Sequence, residues 1–459
     1  MADSLKRTLG TRDLILIVVG TVIGSGIFVV PGAVLRQTGG RVGVALLVWL
    51  LAGVLSLLGA LTYAELGAAD PEAGGLYAYI RDAFGPLPAF LYGWAAFFVI
   101  SSGSMATLAV AFTGYLDQLV PLSPAAAKIV AVLMLAVVTV VNVRGTRQGA
   151  TVQNWTTMVK AGAIVLLSAF LLALGSGLAE ARSAGLWPER VSASTLSGVG
   201  LALLGVLWAY EGWQYVTFSA GEARTPQRTV PRAIVAGTAA LIAIYVLANV
   251  GYVAALGPTR AAATNRVAAE AAAALFGAGA GKLVALVILV SMFSATNGLT
   301  LTSPRLYFAM ARDGLFFRRL AQVHPRYGTP AFAIVASSLW AAVLAATGTF
   351  EQLLTYVIFA GWIFYALGAL SVFVFRRRDP LRVRPFRVPG YPVTPLLFVA
   401  AAAAIVINTL VTQPTQSLLG LGAVLLGTPA YLVWRARAAV VRRDASQSQA
   451  AAPGPSGGA

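Results

Sequence analysis

Residues 14–35 form one apolar run without a charged side chain, bounded by Asp13 and Arg36, and comparable runs recur along the whole chain. A helix crosses a bilayer with about 20 predominantly apolar residues. The runs lie at 14–35, 42–69, 89–116, 125–143, 155–176, 197–220, 232–256, 283–310, 331–348, 352–375, 393–411 and 416–434. This repetition fixes the class as an all-α polytopic membrane protein with twelve expected transmembrane helices. Composition agrees: 58% of the 459 residues are hydrophobic and 11% charged, whereas a soluble chain is about a quarter charged. Most loops are short, so a single membrane domain is expected.

The net charge of +17 could signal a nucleic acid partner, but its placement argues otherwise. With the N-terminus inside, 24 of the 33 Lys and Arg residues fall on one side of the twelve spans and 8 on the other, leaving Lys160 within a span. That asymmetry is the positive-inside pattern of a multi-pass protein of the cell (inner) membrane with both termini cytoplasmic. Membrane lipid is therefore an expected partner and nucleic acid is not. The first run is too long for the core of a signal peptide and is expected to stay in the mature protein. The tail at 437–459 is small and polar, too poor in apolar residues to pack. A basic segment, "RRRDPLRVRPFRVPG", joins spans 10 and 11; it reads as an orientation signal that also attracts anionic lipid. The alanine-rich stretch at 260–282 reads as helical cover over the outer face.

Enzyme chemistry has little to work with. The chain has no cysteine and one histidine, His324, in a polar loop. The spans carry too few His, Asp or Glu to converge on a metal, and no phosphate-binding loop is present. No cofactor, metal or catalytic residue is expected, so energy has to come from substrate or ion gradients.

Two spans carry an internal contradiction. The first contains "GTVIGSGIF" at 20–28, although each glycine costs a helix about 1 kcal/mol relative to alanine. The sixth contains "WAYEGWQ" at 208–214, with Gly212 following the acidic Glu211. Spans 1 and 6 each open a group of five, and an odd number of spans inverts the second group relative to the first. Paired interruptions of this kind point to a transporter of inverted repeats whose site lies at the midplane between broken helices. Close helix packing through Gly20 and Gly24 would account for the first glycine cluster alone, but not for the second break.

Unwound backbone in a membrane needs partners from protein, water or ligand. Free N–H groups around Ser25, Gly26 and Ile27, at the start of a half-helix, favour a carboxylate. Carbonyls near Val22 and from Trp208 through Ala209 to Glu211 favour an ammonium group. An amino acid zwitterion fits both.

"GTVIGSGIF" with Pro31, "YAELG" at 63–67, "GGLYAYIRDAFG" at 74–85, "VQNWTTMVKAG" at 152–162, "WAYEGWQ", "VPRAI" at 230–234 and "TNGLTLTSPRLYFAMARDG" at 296–314 resemble the amino acid–polyamine–organocation superfamily. Within it, the resemblance is to the L-type amino acid transporters, particularly bacterial members, and covers residues from about 8 to 375. It implies the leucine-transporter fold: a core at 1–375 with 5+5 inverted repeats, appended helices 11 and 12 at 376–436, and a disordered tail at 437–459. It also implies transport of an amino acid by alternating access, and a sodium-independent exchanger is the leading expectation. Val22, Ser25 and Gly26 match positions that hold the α-amino and α-carboxylate groups, Trp208 the aromatic that covers the substrate, and Glu211 a position whose carbonyl receives the amino group.

Lys160 lies roughly 10 Å into span 5 along the axis, where an unpaired ammonium is expensive. Snorkelling to the cytoplasmic face is one reading. The resemblance supports the other, in which its charge replaces a sodium ion and bonds the backbone of broken helix 1. Glu211 stands where many animal relatives have glycine, and reads either as a carboxylate satisfied beside the break or as a group handling protons or the substrate ammonium. Glu65 and Glu222, near cytoplasmic helix ends, read as solvated charges or gating ion pairs with arginine. Animal members join a heavy chain through a disulfide; without cysteine this chain is expected to have no such partner. Substrate selectivity is weakly encoded: "SSGS" at 101–104, Gly361 and Trp362 are candidates for the side-chain end, and a small or medium neutral L-amino acid is expected. Cationic amino acid or polyamine transport with protons, and an amino-acid-binding sensor, are the alternatives.

Overall fold

The computed structural model describes residues 5–348 and 350–436. Its helices are α1 (Thr11–Val22), α2 (Gly26–Gln37), α3 (Val42–Ala69), α4 (Leu76–Phe84), α5 (Pro86–Ala95), α6 (Ser101–Asp117), α7 (Pro124–Val143), α8 (Thr146–Leu174), α9 (Gly177–Ser183), α10 (Ala193–Ala209), α11 (Pro226–Ala263), α12 (Val267–Phe276), α13 (Ala278–Thr302), α14 (Pro304–Arg312), α15 (Ala331–Thr347), α16 (Phe350–Arg378), α17 (Val393–Thr412) and α18 (Pro414–Leu425). A π-helical turn, Ala96–Ile100, joins α5 to α6, and a 3-10 segment, Trp213–Glu222, follows α10. Strands are absent among the described residues; one isolated parallel bridge pairs Leu9 with Ala223.

Ten helical segments are long and apolar enough to cross a membrane, and eleven if α1 and α2, bent by 46°, count as one span. The expected span at 331–348 falls on α15, whose 17 residues stand at the lower end of what can cross. The expected tail at 437–459 lies outside the described residues.

The bundle closes through small residues, as expected where lipid supplies no hydrophobic drive between helices. On α3, Leu47, Leu50, Leu51 and Val54 face outward while Val48, Trp49, Ala52 and Gly53 are buried. A side chain at Gly53 would sit 2.8 Å from Ile242 on α11 and 3.0 Å from the Tyr210 hydroxyl. Helix α8 starts nine residues before the apolar run at 155. Polar side chains of its first turns find partners in the bundle: buried Gln153 accepts from Asn297 at 3.0 Å and half-buried Asn154 donates to Asp13 at 2.6 Å. Hydropathy alone places the start of that span too late. The alanine-rich stretch folds as the end of α11, α12 and the start of α13. Helix α11 is broken at Gly257 (φ 69°) just before Pro258.

Candidate functional site

Both glycine-marked spans are interrupted. Helix α1 ends at Val22 and α2 begins at Gly26, with Ile23 extended between them. Helix α10 ends at Ala209; Gly212, at φ 125°, takes a backbone conformation that disfavours any side chain, and the chain continues as a 3-10 segment. The two breaks touch. A methyl group on Gly26 would lie 2.6 Å from Ala209 Cβ, and one on Gly212 would lie 3.1 Å from the Thr21 carbonyl. Thr21 Oγ1 is within donating distance of Gly212 O, at 3.1 Å.

The carbonyls freed by the first break are met from two directions. On one side, buried Lys160 of α8 donates to Gly20 O at 2.7 Å, to Ile23 O, and to Ser291 O at 3.3 Å. Ser291 Oγ on α13 lies 3.0 Å from both Ile23 O and Gly24 O. On the other side, the Tyr245 hydroxyl of α11 lies 3.2 Å from Val22 O and 3.0 Å from Ala209 O, so one group serves the ends of both half-helices. Lys160 does not snorkel. Its three protons have three carbonyl acceptors, and no carboxylate is needed to hold it.

Between the breaks lies a small cavity of about 50 Å3. Thr21, Val22, Gly24, Ser25, Gly26, Trp208, Ala209 and Glu211 line it from the broken spans, and Ser104, Thr107, Leu108, Tyr215, Leu299 and Val357 from their neighbours. Ile27 does not: its side chain is buried in the apolar core, as the helical turn starting at Gly26 carries it away. Of "SSGS" only Ser104 reaches the cavity, while Gly361 packs on Tyr365 and Trp362 against Tyr365 and Phe398.

The lining has two polar poles. Ser25 Oγ is buried without a hydrogen-bond partner among the described residues, beside the first N–H groups of α2, which no preceding turn of that helix can satisfy. Glu211 Oε1 accepts from the Tyr365 hydroxyl at 2.7 Å, and its Oε2 is left without a partner among the described residues. Buried polar atoms are ordinarily paired, so these two, with the Tyr215 hydroxyl that also lines the cavity without a partner among the described residues, mark where a ligand's own polar groups fit. Tyr245, Ser291, Tyr365 and Thr21 were not singled out by the sequence, since a lone hydroxyl in a span gives no signal until the backbone it serves is known to be broken.

A second cluster closes the end that carries the N-terminal segment. Glu222 and Arg305, both fully buried, pair at 2.6 Å, and Thr146 Oγ1 bridges them, donating to Glu222 at 2.7 Å and accepting from Arg305 at 2.8 Å. Thr8 N and Leu9 N both donate to Glu222 O, and Arg224 N donates to Leu9 O. Glu65 accepts from Arg376 and from Val388 N. Nearby, burial works against the charge of Arg81, but hydrogen bonds to Asp82 and Asp313 outweigh it and raise its pKa. Among the described residues no group of three or more His, Cys, Asp or Glu could hold a metal.

The comparisons with known proteins agree with this architecture. The family description matching residues 9–427 is amino acid permease. The Serine/threonine exchanger SteT of Bacillus subtilis (strain 168) is 33% identical over 447 residues, covering 95% of this chain and 99% of the relative. The b(0,+)-type amino acid transporter 1 of Homo sapiens is 34% identical, covering 90% of this chain and 84% of the relative. The Large neutral amino acids transporter small subunit 2 of Rattus norvegicus is 33% identical, covering 94% and 81%. With a family match spanning nearly its whole length and relatives that align along most of theirs, the chain belongs to the amino acid permease family of the amino acid–polyamine–organocation superfamily.

Proposed function

We propose that this protein exchanges neutral L-amino acids across the cell membrane by alternating access and without sodium. In this reading the substrate lies between the broken spans, α1/α2 and α10 with its 3-10 continuation. Its carboxylate meets Ser25 Oγ and the N–H groups of Ser25, Gly26 and Ile27, its ammonium the carbonyl side of the break near Val22 and Ala209, and Trp208 covers it. Spans 1–5 and 6–10 form inverted repeats at 1–375, with α17 and α18 appended and both termini cytoplasmic.

The observation that carries the reading is the position of Lys160. Its ammonium sits behind the broken helix against Gly20 O and Ile23 O, supplying the positive charge for which a sodium site would otherwise be built. The absence of cysteine rules out a disulfide to a heavy chain through this sequence. The chain therefore works without such a partner, and its ligands are the amino acid and membrane lipid. The relative named as an exchanger of serine and threonine, aligned over 99% of its length, favours small neutral substrates.

One observation favours a second reading. Glu211 Oε2 faces the cavity lining without a partner among the described residues, an acceptor placed to receive a cationic side chain, as in a transporter of cationic amino acids or polyamines. Uptake into proteoliposomes separates the two. The panel is labelled alanine, serine, leucine, arginine and putrescine, each with and without sodium, a pH gradient and internal unlabelled amino acid. Neutral uptake that needs internal substrate and ignores sodium supports exchange. Arginine or putrescine uptake driven by a pH gradient selects the second reading. Binding without any uptake leaves only a sensor.

A further inference from the structure

The segment between α16 and α17 is inside out. A loop in water normally turns its arginines outward and its apolar side chains inward. Here Arg382 and Arg384 point inward. Arg384 lies 3.4 Å from Glu65 and donates to Asp379 O at 2.7 Å and Phe375 O at 3.2 Å, and Arg382 donates to Ala69 O at 2.8 Å beside Asp70. The alternate residues Leu381 and Val383 face outward at 93% and 82% exposure, more than any other large apolar side chain in the described structure. Arg377 and Arg387 flank them, exposed and without a hydrogen bond or ion pair among the described residues.

We infer that this face is an anchor that inserts Leu381 and Val383 among the headgroups of the adjoining leaflet, with Arg377 and Arg387 on anionic phospholipid. Three observations select lipid as the occupant. The segment is held against the end of a membrane-length helix: Arg384 donates to Phe375 O and Asp379 O at the end of α16, and Tyr391 packs on Phe373 and Arg376 of the same helix. Where it ends, α17 begins with Val393, Leu396 and Leu397 exposed, so the outward apolar surface continues into a membrane span. Its free charge, Arg377 and Arg387 against the exposed Asp379, is net positive, complementary to an anionic leaflet, and apolar side chains beside basic ones are the composition of an interfacial segment. The inference does not depend on the transported substrate.

The chain's lack of cysteine makes the test specific to one site. Val383→Cys and a control on another exposed loop, Arg326→Cys, are labelled with an environment-sensitive fluorophore in the full-length protein, reconstituted in phosphatidylcholine with or without phosphatidylglycerol. Label at 383 should shift to the blue, be quenched several-fold more by headgroup-depth spin-labelled lipid than by iodide, and shift further with phosphatidylglycerol; Arg377→Gln/Arg387→Gln should abolish that last increment. Label at 326 should be quenched by iodide in every vesicle. Two results overturn the inference: iodide quenching at 383 equal to that at 326, or protection at 383 from both quenchers that grows with protein-to-lipid ratio, which would make a second copy the occupant. Failure of neutral amino acid exchange in the same vesicles would leave this readout unaffected.

Discussion

Replacing Lys160 by methionine keeps most of the side-chain volume and removes the ammonium. Gly20 O, in the last turn of α1, then has no donor, which costs about 1–3 kcal/mol for a buried acceptor. Ile23 O keeps Ser291 Oγ but loses a charged donor contributing about 1.5–3 kcal/mol. Ser291 O, inside α13, keeps its own helical partner. Removing a buried charge returns several kcal/mol of desolvation, so the overall folding free energy changes little. The break itself loses about 2.5–6 kcal/mol of fixed geometry, and at a tenfold change per 1.4 kcal/mol the specificity constant for uptake should fall at least about 60-fold. The assay is exchange of labelled serine in proteoliposomes, with size-exclusion elution and thermal unfolding in detergent as the check on folding. Wild-type uptake should be the same in sodium and choline. A folded Lys160→Met protein with near wild-type kcat/KM would refute the assignment of this lysine to the break.

Gly26→Ala places a methyl group against Ala209 Cα and Cβ, atoms with no freedom to move; it should cost about 1–3 kcal/mol as overpacking and abolish the thermal shift given by added amino acid, read by dye-based unfolding. Ser25→Leu should fill the carboxylate pole and eliminate substrate binding by the same readout while the chain stays folded. Glu211→Gln keeps an oxygen for the Tyr365 hydroxyl but removes the charge, so neutral uptake should persist and any arginine uptake should fall by tenfold or more. Arg305→Met strands the fully buried Glu222 carboxylate and should destabilise the protein by about 3–5 kcal/mol, seen as a lowered midpoint in chemical denaturation.

What was legible in the sequence was what backbone chemistry alone dictates. Apolar runs of bilayer length marked the helices, and glycine-marked interruptions in the first and sixth, each opening a group of five, marked the breaks, where the pairing of the two excluded simple helix packing. Val22, Ser25, Gly26, Trp208, Ala209 and Glu211 all line the cavity for that reason. Ile27 was placed there by its N–H, and its side chain turns away. The partners of the breaks were illegible. Tyr245 lies 223 residues from the carbonyl it serves and Ser291 lies 268, and nothing local distinguishes either from the hydroxyls that bond to their own helix, as those of Thr238 and Thr296 do. Lys160 was visible only because a lone charge in an apolar run demands an explanation. The buried Glu222–Arg305 pair was half visible: its residues sit near helix ends, where hydropathy reads charges as solvated.

The bonds around the breaks also divide by what they join. Thr21 to Gly212 O and Tyr245 to Val22 O and Ala209 O tie α1, α10 and α11 to one another. Lys160 and Ser291 tie the break to α8 and α13. A motion that opened the cavity by parting α1 from α10 would break the first set and lift Gly26 from Ala209, destroying the pocket it is meant to expose. A motion that carries the two broken spans together with α11 keeps the contact between the breaks and displaces the second set, along with the cavity walls supplied by α6, α13 and α16. Those donors suit sliding: a four-carbon stem with three protons and a rotating hydroxyl can pass among neighbouring carbonyls of an unwound segment, whereas backbone ladders cannot shift without unfolding. Cross-linking the first set of elements, α1 to α11, with Val18→Cys and Gly237→Cys, where a side chain on Gly237 would meet Val18 Cβ at 2.8 Å, should therefore leave exchange largely intact once the bridge forms in this cysteine-free chain. Cross-linking the second pair, through Gly24→Cys and Ser291→Cys, should arrest it. The reverse result would mean that the cavity opens by parting α1 from α10 and α11.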